Sequence, residues 1–146
     1  MIDIHCHLLP ALDDGSQSEE QSLAQLRSMV SGGITHAFLT THYLSRVYNY
    51  DRSEYDEKLQ QLKRLALSHG LDISLEQGFE IFLHPRTGED IASHNLTLGK
   101  SRYVLIESDL NGLPPDFYTD VYPLLRKGYK PILAHAERYV SIMHKP

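Results

Sequence analysis

Two histidines separated by a single residue lie near the start of the chain, in the segment Ile4-His5-Cys6-His7. Residues 2–5 are predicted to form a short buried strand, and alternate residues of a strand point to the same face. The rings of His5 and His7 can therefore reach one cation at the carboxyl end of this strand. Imidazole binds zinc, manganese, iron and related metals. Two ordinary polar residues where a strand enters a loop would give the same pattern.

Histidine or glutamate also marks the end of each later predicted strand. The carboxyl ends of parallel strands meet on one face of an α/β fold, where active sites lie. One glutamate at a strand end is normally a solvated carboxylate, but the whole set indicates a site for two or three cations. The residues are His42 after the second strand, Glu80 just past the third, Glu107 ending the fourth and His135 ending the fifth.

The elements that must position these residues alternate along the chain. Apolar runs predict strands, and helical spacing of apolar residues predicts helices that end at glycines. Such alternation predicts parallel βα units in one domain. Residues 84–102 show no clear pattern. The predicted strands are residues 2–5, 34–40, 72–77, 103–107 and 131–135, and the predicted helices are residues 18–31, 53–68 and 116–127.

Composition excludes several classes of protein. The chain has 146 residues, 41% of them hydrophobic, and a net charge of −5, which fits one globular domain and not a disordered chain. A single cysteine excludes a disulfide scaffold. No apolar run is long enough to span a membrane and no leader peptide is evident, so we expect a cytoplasmic protein. The acidic balance gives no electrostatic footprint for nucleic acid.

The segment MIDIHCHLLPALDDGS resembles the opening of the PHP (polymerase and histidinol phosphatase) superfamily. More narrowly, it resembles bacterial manganese-dependent protein-tyrosine phosphatases of capsule and exopolysaccharide operons. Four later segments continue the resemblance in order. They are residues 39–43 (LTTHY, with Thr41 and Tyr43 replacing a proline and a histidine of the family pattern), 78–80 (GFE), 104–107 (VLIE) and 132–139 (ILAHAERY, with Ala136 replacing a proline).

The resemblance implies a distorted TIM-like (β/α)7 barrel with a trinuclear metal site. It implies Mn²⁺ as cofactor, with Fe, Zn, Co or Mg as alternatives, and it assigns His42 and Arg138 as catalytic candidates. The Arg138 guanidinium would bind the substrate phosphate, although a surface arginine paired with Glu137 is the simpler interpretation. The metal ligands carried over from the family are His5, His7, His42, Glu80, Glu107 and His135.

The implied activity is hydrolysis of phosphotyrosine on a protein, with a tyrosine kinase of polysaccharide export as substrate and metal-bound hydroxide as nucleophile. A cysteine-dependent phosphatase would need an arginine six residues after its cysteine, but Leu12 follows Cys6 at that spacing. We expect Cys6 to be a small buried residue. Two alternatives stay open, namely another PHP phosphoesterase of the histidinol-phosphate type and an inactive metal-binding remnant.

Length sets a further expectation, because barrels of this type typically need about 250 residues. A later D-x-H motif and a second phosphate-binding arginine of the family have no match in the sequence. We therefore expect residues 1–146 to be a single domain of about five βα units that is truncated at its C-terminus. An unclosed sheet would leave an exposed edge, which predicts weak stability or a partner or second copy covering that edge.

Three minor features have competing interpretations. Asp3 could orient a ligand, and residues 13–15 (DDG) could match the family motif or form an ordinary turn. A group of tyrosines after His42 could line a phosphotyrosine pocket, or could pack within its own loop. These are Tyr43, Tyr48, Tyr50 and Tyr55.

Overall fold

The computed structural model describes residues 1–43, 48 and 50–144. Five parallel strands form one sheet whose spatial order follows the chain order from first to last. This sequential parallel order confirms the predicted α/β architecture of repeated βα units. The strands are β1 (Ile2–Cys6), β2 (His36–Tyr43), β3 (Ser74–Phe82), β4 (Tyr103–Glu107) and β5 (Lys130–Leu133).

Helices connect the strands, and two of them begin at side-chain caps. The Ser18 side chain accepts a hydrogen bond from the Gln21 backbone, as its position predicts. Asp51 likewise caps the second helix, which therefore begins at Arg52 and not at Ser53. The helices are α1 (Glu19–Ser31), α2 (Arg52–Ser68), α3 (Thr87–His94), α4 (Phe117–Arg126) and α5 (Val140–His144), with a 3₁₀ turn at Ala136–Arg138.

The main core lies between one face of the sheet and the helices. Buried residues of all four longer helices join the same cluster as the strand residues Leu39, Phe79 and Ile106. A smaller cluster, built around Leu98 and Leu105, packs on the other face. The helices thus cover one side of a curled sheet, which makes the fold an α/β half-barrel with a concave inner face.

The hydrogen-bond ladder between β1 and β2 is interrupted close to His5 and His7. The register between the strands shifts between Asp3 and Cys6. There the Thr40 hydroxyl accepts a hydrogen bond from the Cys6 N–H at 3.0 Å and donates one to the Cys6 carbonyl at 3.3 Å. A buried side chain therefore replaces the missing ladder bonds and fixes the end of β1 against β2.

Several predicted boundaries were wrong at the functional end of the sheet. Strands β2 and β3 continue to Tyr43 and Phe82, so His42 and Glu80 lie inside strands and not after them. Conversely, β5 ends at Leu133, and His135 lies in the turn beyond it. Polar residues near strand ends look like loop residues in sequence, but here they face the concave side.

The segment without a clear pattern contains a short helix, α3. It spans eight residues and begins at Thr87, and the preceding Arg86 forms no side-chain capping bond, so neither periodicity nor a capping residue predicts it from the sequence. The predicted tyrosine-rich loop, residues 43–52, lies partly outside the described residues. No helix in the described ranges has the length and apolar character needed to cross a membrane.

Edge strands β1 and β5 each pair with a single neighbour within the described ranges. The side chain of Ile2 on β1 is 64% exposed and that of Ile4 is 39% exposed. The expectation that a partner or second copy covers an open edge stays a prediction.

Candidate metal centre

The buried carboxylate of Glu80 lies at the centre of four imidazole rings. Its Oε2 atom is 3.0 Å from His5 Nε2, 3.1 Å from His7 Nε2 and 3.5 Å from His42 Nδ1. Its Oε1 atom is 2.8 Å from His135 Nε2. Only 1% of the Glu80 side chain is exposed, so this carboxylate is held almost entirely by histidines.

Glu107 forms a second carboxylate position beside the first. Its Oε1 atom is 2.9 Å from His42 Nδ1, and its Oε2 atom is 3.8 Å from His135 Nε2. All six ligands predicted by the resemblance therefore meet in one cluster at the carboxyl end of the sheet.

Strand register explains why these residues converge. His42 and Glu80 are direct neighbours across β2 and β3. Glu80 pairs with Leu105 on β4, and Glu107 stands two residues further along the same face. The alternation of a parallel sheet thus directs all three side chains into the concave face, although they come from different strands.

Asp13 orients His7, a role that sequence analysis did not separate from a simple turn. The Asp13 side chain is 1% exposed, and its Oδ2 accepts a hydrogen bond from His7 Nδ1 at 2.6 Å. The same oxygen accepts a bond from the His42 backbone N–H at 3.2 Å, and Oδ1 accepts one from Gly15 N–H. Because a carboxylate only accepts, His7 carries a proton on Nδ1 and directs Nε2 toward the site.

Asp14 adds a carboxylate that the predicted ligand set did not include. Its Oδ1 atom lies 3.5 Å from His42 Nε2, and its side chain is 64% exposed. Among the described residues, the potential ligand atoms form three overlapping groups, in each of which they lie within 4.8 Å of one another. The groups are His5–His7–Glu80, His7–Asp14–His42 and His42–Glu80–Glu107.

Neighbouring carboxylates and imidazoles shift the pKa values of several site residues. Burial would lower the pKa of His7, but the hydrogen bonds to Asp13 and Glu80 outweigh burial and raise this pKa to about 10. Burial would raise the pKa of Glu80, but the bonds from His5 and His7 hold it well below its usual range. The pKa of His42 is raised by Glu107 against the opposing effect of burial. Protons on imidazoles thus supply positive charge beside the buried carboxylate.

The ligand set fits divalent cations on two counts. His5 Nε2 and His7 Nε2 are 3.2 Å apart, and two nitrogens at about 2.1 Å from one ion would span that distance at an angle of about 100°. In addition, Asp13, Asp14, Glu80 and Glu107 place four carboxylates around neutral imidazoles, and two divalent cations would balance their charge. Imidazole and carboxylate together suit manganese, iron, zinc and related ions.

Arg138 lies in the 3₁₀ turn that follows His135, and its side chain is exposed. Its exposure agrees with a surface arginine, although no ion pair joins it to Glu137 among the residues that the structure describes. The phosphate-binding role stays a prediction. The Asp3 carboxylate accepts a hydrogen bond from the backbone N–H of His5. In the described part of the chain it has no bond to an imidazole ring, so the structure gives it a backbone contact and no role in orienting a ligand.

The tyrosines that follow His42 divide into two groups. Tyr43 packs edge-on to Phe79, and Tyr50 stacks on the buried Tyr55. Tyr48 instead stacks on the His42 ring, with ring centroids 5.2 Å apart and an interplanar angle of 7°. Of this group, Tyr48 is the aromatic side chain that lies directly against the site.

Cys6 does not take part in the cluster. Its Sγ donates a hydrogen bond to the Phe38 carbonyl, and burial raises the pKa of the thiol above its usual range. A thiol that resists ionisation is a poor nucleophile, which agrees with the absence of the C-x₅-R motif.

Sequence comparison gives this geometry a family. Residues 1–146 match the family model described as "Capsular polysaccharide synthesis, CpsB/CapC". The chain belongs to the CpsB/CapC family. Among relatives, it is 33% identical to tyrosine-protein phosphatase YwqE of Bacillus subtilis (strain 168), over 100% of this chain and 58% of the relative. It is 30% identical to tyrosine-protein phosphatase CpsB of Streptococcus pneumoniae, over 97% of this chain and 59% of the relative.

Structure comparison supports the same family. A chain from the crystal structures of YwqE from B. subtilis and CpsB from S. pneumoniae, described as unique metal-dependent tyrosine phosphatases, superposes with a TM-score of 0.92 at 33% identity. The match covers 99% of this chain and 59% of the solved chain. The present CpsB/CapC chain therefore spans about three fifths of the length of the relatives it matches, and its half-barrel corresponds to that part of their fold.

Proposed function

We propose that this CpsB/CapC chain is a metal-dependent protein-tyrosine phosphatase that hydrolyses phosphotyrosine. The observation that carries the proposal is the arrangement of four imidazoles around the buried carboxylate of Glu80, with Glu107 beside it. The names of YwqE and CpsB support the activity. Because the chain spans 58% of the YwqE length, its own activity needs a direct test.

The proposed ligands form two neighbouring metal positions. His5, His7 and Glu80 would form one position, with Asp13 fixing the ring of His7. His42 and Glu107 would form a neighbouring position together with the shared Glu80. When bound, divalent ions supply an activated water as nucleophile and neutralise charge on the phosphoryl group. The protein holds these ligands in place before substrate arrives, so little reorganisation accompanies the reaction.

His42 was assigned both ligand and catalytic roles by the resemblance. Its Nδ1 lies 2.9 Å from Glu107 and its Nε2 lies 3.5 Å from Asp14. With both ring nitrogens facing carboxylates, His42 is better suited to hold a metal than to act as a free proton donor. We therefore propose the ligand role for this residue.

Arg138 and Tyr48 are the proposed contacts to substrate. The exposed Arg138 guanidinium has two parallel N–H groups suited to the oxygens of a phosphate. The Tyr48 ring stacks on His42, and an aromatic side chain beside the site could pack against the ring of a phosphotyrosine. Together they would recognise the two halves of a phosphotyrosine side chain.

Three finer statements extend the proposal. Mn²⁺ is the proposed metal, which the mixed nitrogen and oxygen ligands allow but do not select. A tyrosine kinase of polysaccharide export is the proposed substrate, supported by the capsule synthesis family to which the chain belongs. A cytoplasmic location stays a prediction.

Phosphate release from a phosphotyrosine peptide by the Mn²⁺-loaded 146-residue chain tests the proposal. We expect turnover that Glu80→Gln abolishes and that Cys6→Ser leaves unchanged, since the thiol lies outside the cluster. Histidinol phosphate serves as the competing substrate. Faster hydrolysis of histidinol phosphate would favour the other phosphoesterase activity, and no turnover of either substrate would support an inactive metal-binding remnant.

A further inference from the structure

Tyr139 is a fully buried side chain that joins the ends of two site strands. Its exposed fraction is 0%. The Tyr139 hydroxyl accepts a hydrogen bond from the Ser108 backbone N–H at 2.8 Å and lies 3.4 Å from the Ser108 carbonyl, to which it donates. Ser108 directly follows Glu107. The hydroxyl therefore ties the turn after β5 to the chain beside a proposed metal ligand.

The ring of Tyr139 packs against a second proposed ligand, His135. The two ring centroids are 5.9 Å apart and the planes differ by 20°. His135 has a φ of 36°, in the left-handed region. Residues other than glycine seldom occupy that region and persist there when the surrounding structure holds them.

The His135 ring lacks the hydrogen bond that orients His7. Asp13 fixes the tautomer and direction of His7 through Nδ1. The Nδ1 atom of His135 is buried and has no hydrogen-bond partner in the described part of the chain. Its Nε2 nevertheless lies 2.8 Å from Glu80 Oε1. Packing, and not a hydrogen bond on the far side of the ring, must therefore set its direction.

We propose that Tyr139 is a positioning residue that holds His135 in its left-handed conformation and directs its Nε2 toward Glu80. The hydroxyl fixes the tyrosine to Ser108, and the ring supports the imidazole. This inference rests on the proposed function only in treating His135 as a metal ligand. It assigns a task to Tyr139 that no predicted ligand set includes.

Mn²⁺ affinity of the full 146-residue chain, measured by titration calorimetry, tests the inference. Tyr139→Phe keeps the ring and removes the hydroxyl, and we expect about ten-fold weaker binding, as for other residues that orient metal ligands. Tyr55→Phe is the matched control, because that hydroxyl is also buried and bonds the Leu39 carbonyl and the Gly78 N–H. We expect both variants to lower the melting temperature but only Tyr139→Phe to weaken binding.

A double-mutant cycle separates positioning from general destabilisation. In a His135→Ala background, Tyr139→Phe should cause no further loss of Mn²⁺ affinity, because the ring that it positions is gone. Equal losses in both backgrounds, or unchanged affinity in Tyr139→Phe, would overturn the inference. Absence of Mn²⁺ binding by the unmodified chain would instead contradict the proposed function.

If a variant fails to fold, a measurement on the unmodified, metal-free chain tests whether the Tyr139 ring packs against His135. A nuclear Overhauser contact between the Tyr139 ring and the His135 imidazole is expected from their 5.9 Å centroid separation. A spectrum with both rings assigned and no such contact would overturn the proposal.

Discussion

Asp13 Oδ2 lies 2.6 Å from His7 Nδ1, and the opposite nitrogen of that ring lies 3.1 Å from Glu80 Oε2. One imidazole thus bridges two buried carboxylates. Asp13 keeps a proton on Nδ1, so that Nε2, once its own proton is released, is the nitrogen that can bind a metal ion. Orientation of a ligand by a second carboxylate is a common arrangement in metal sites, where it also increases the basicity of the ligand.

Replacing Asp13 should weaken metal binding without removing a ligand. In Asp13→Asn the acceptor charge is lost, and we expect Mn²⁺ affinity to fall by about 10- to 100-fold. Asp72→Asn, at an exposed position, is the control and should bind as the unmodified chain does. Calorimetric titration of both variants checks the prediction. Equal affinities would mean that Asp13 serves only the turn.

Gly15 should be intolerant of any side chain, because its loop packs directly on His7. A Cβ atom at this position would lie 2.3 Å from the His7 carbonyl oxygen and 2.4 Å from the His7 Cβ. Gly15→Ala should therefore displace His7, lowering both the melting temperature and Mn²⁺ affinity. Gly112→Ala is the matched control, since nothing lies within 4 Å of the Cβ position at Gly112. A Gly15→Ala variant that binds and melts like Gly112→Ala would contradict this packing.

The metal-free chain should lose stability as pH rises above neutrality. The folded pKa of His7 is raised from 6.5 to about 10, so the folded state retains a proton that the unfolded state releases. Stability is then complete below pH 6.5 and falls as pH rises toward 10, with a slope of at most about 1.4 kcal/mol per pH unit for each such proton. The raised pKa of His42 acts in the same direction.

Urea unfolding in a chelator at pH 6.5, 7.5 and 8.5 checks this slope. Tyrosines do not ionise in this range, but about half of the Cys6 thiols do so at pH 8.5 in the unfolded chain, and burial raises the Cys6 pKa in the folded chain. All variants therefore carry Cys6→Ser, which removes this contribution. His7→Gln should flatten the dependence, whereas His69→Gln, at an exposed position, should leave it intact. Stability that increases over this range would show that His7 is not protonated in the folded state.

Arg138 should affect substrate binding and turnover but not metal binding. Loss of a guanidinium from a phosphate site removes charge stabilisation in the transition state, so kcat/KM for a phosphotyrosine peptide should fall by about 100-fold in Arg138→Gln. Mn²⁺ affinity should stay unchanged. Arg27→Gln, exposed on α1, controls for loss of surface charge. Identical kinetics for the two variants would remove Arg138 from the proposed mechanism.

The convergence of the six proposed metal ligands could be predicted from sequence largely because parallel strands bring their carboxyl ends together. His5 and His7 share a face through i,i+2 spacing, and Glu107 ends its strand as expected. The position of Glu80 inside a strand was harder to predict from the sequence. A buried glutamate inside a strand is unusual, and only the surrounding imidazoles explain why it lies there.

Other features depend on contacts that sequence spacing does not encode. The Asp-Asp-Gly segment is typical of turns, so the bond from His7 to Asp13 and the approach of Asp14 to His42 appear only in three dimensions. The left-handed backbone of His135 is equally hard to predict, because histidine adopts a positive φ more often than most residues other than glycine but still seldom does so.

The most direct test of the account is Mn²⁺ binding by the metal-free 146-residue chain and by Glu80→Gln. Glu80 Oε2 lies within 3.5 Å of three imidazole nitrogens and Oε1 lies 2.8 Å from a fourth, so its charge is central to the site. We predict binding of two or three ions by the unmodified chain, a loss of affinity of at least about 100-fold in Glu80→Gln, and unchanged binding in the exposed control Glu57→Gln. Binding by Glu80→Gln that equals the unmodified chain, or no binding by either, would contradict the account.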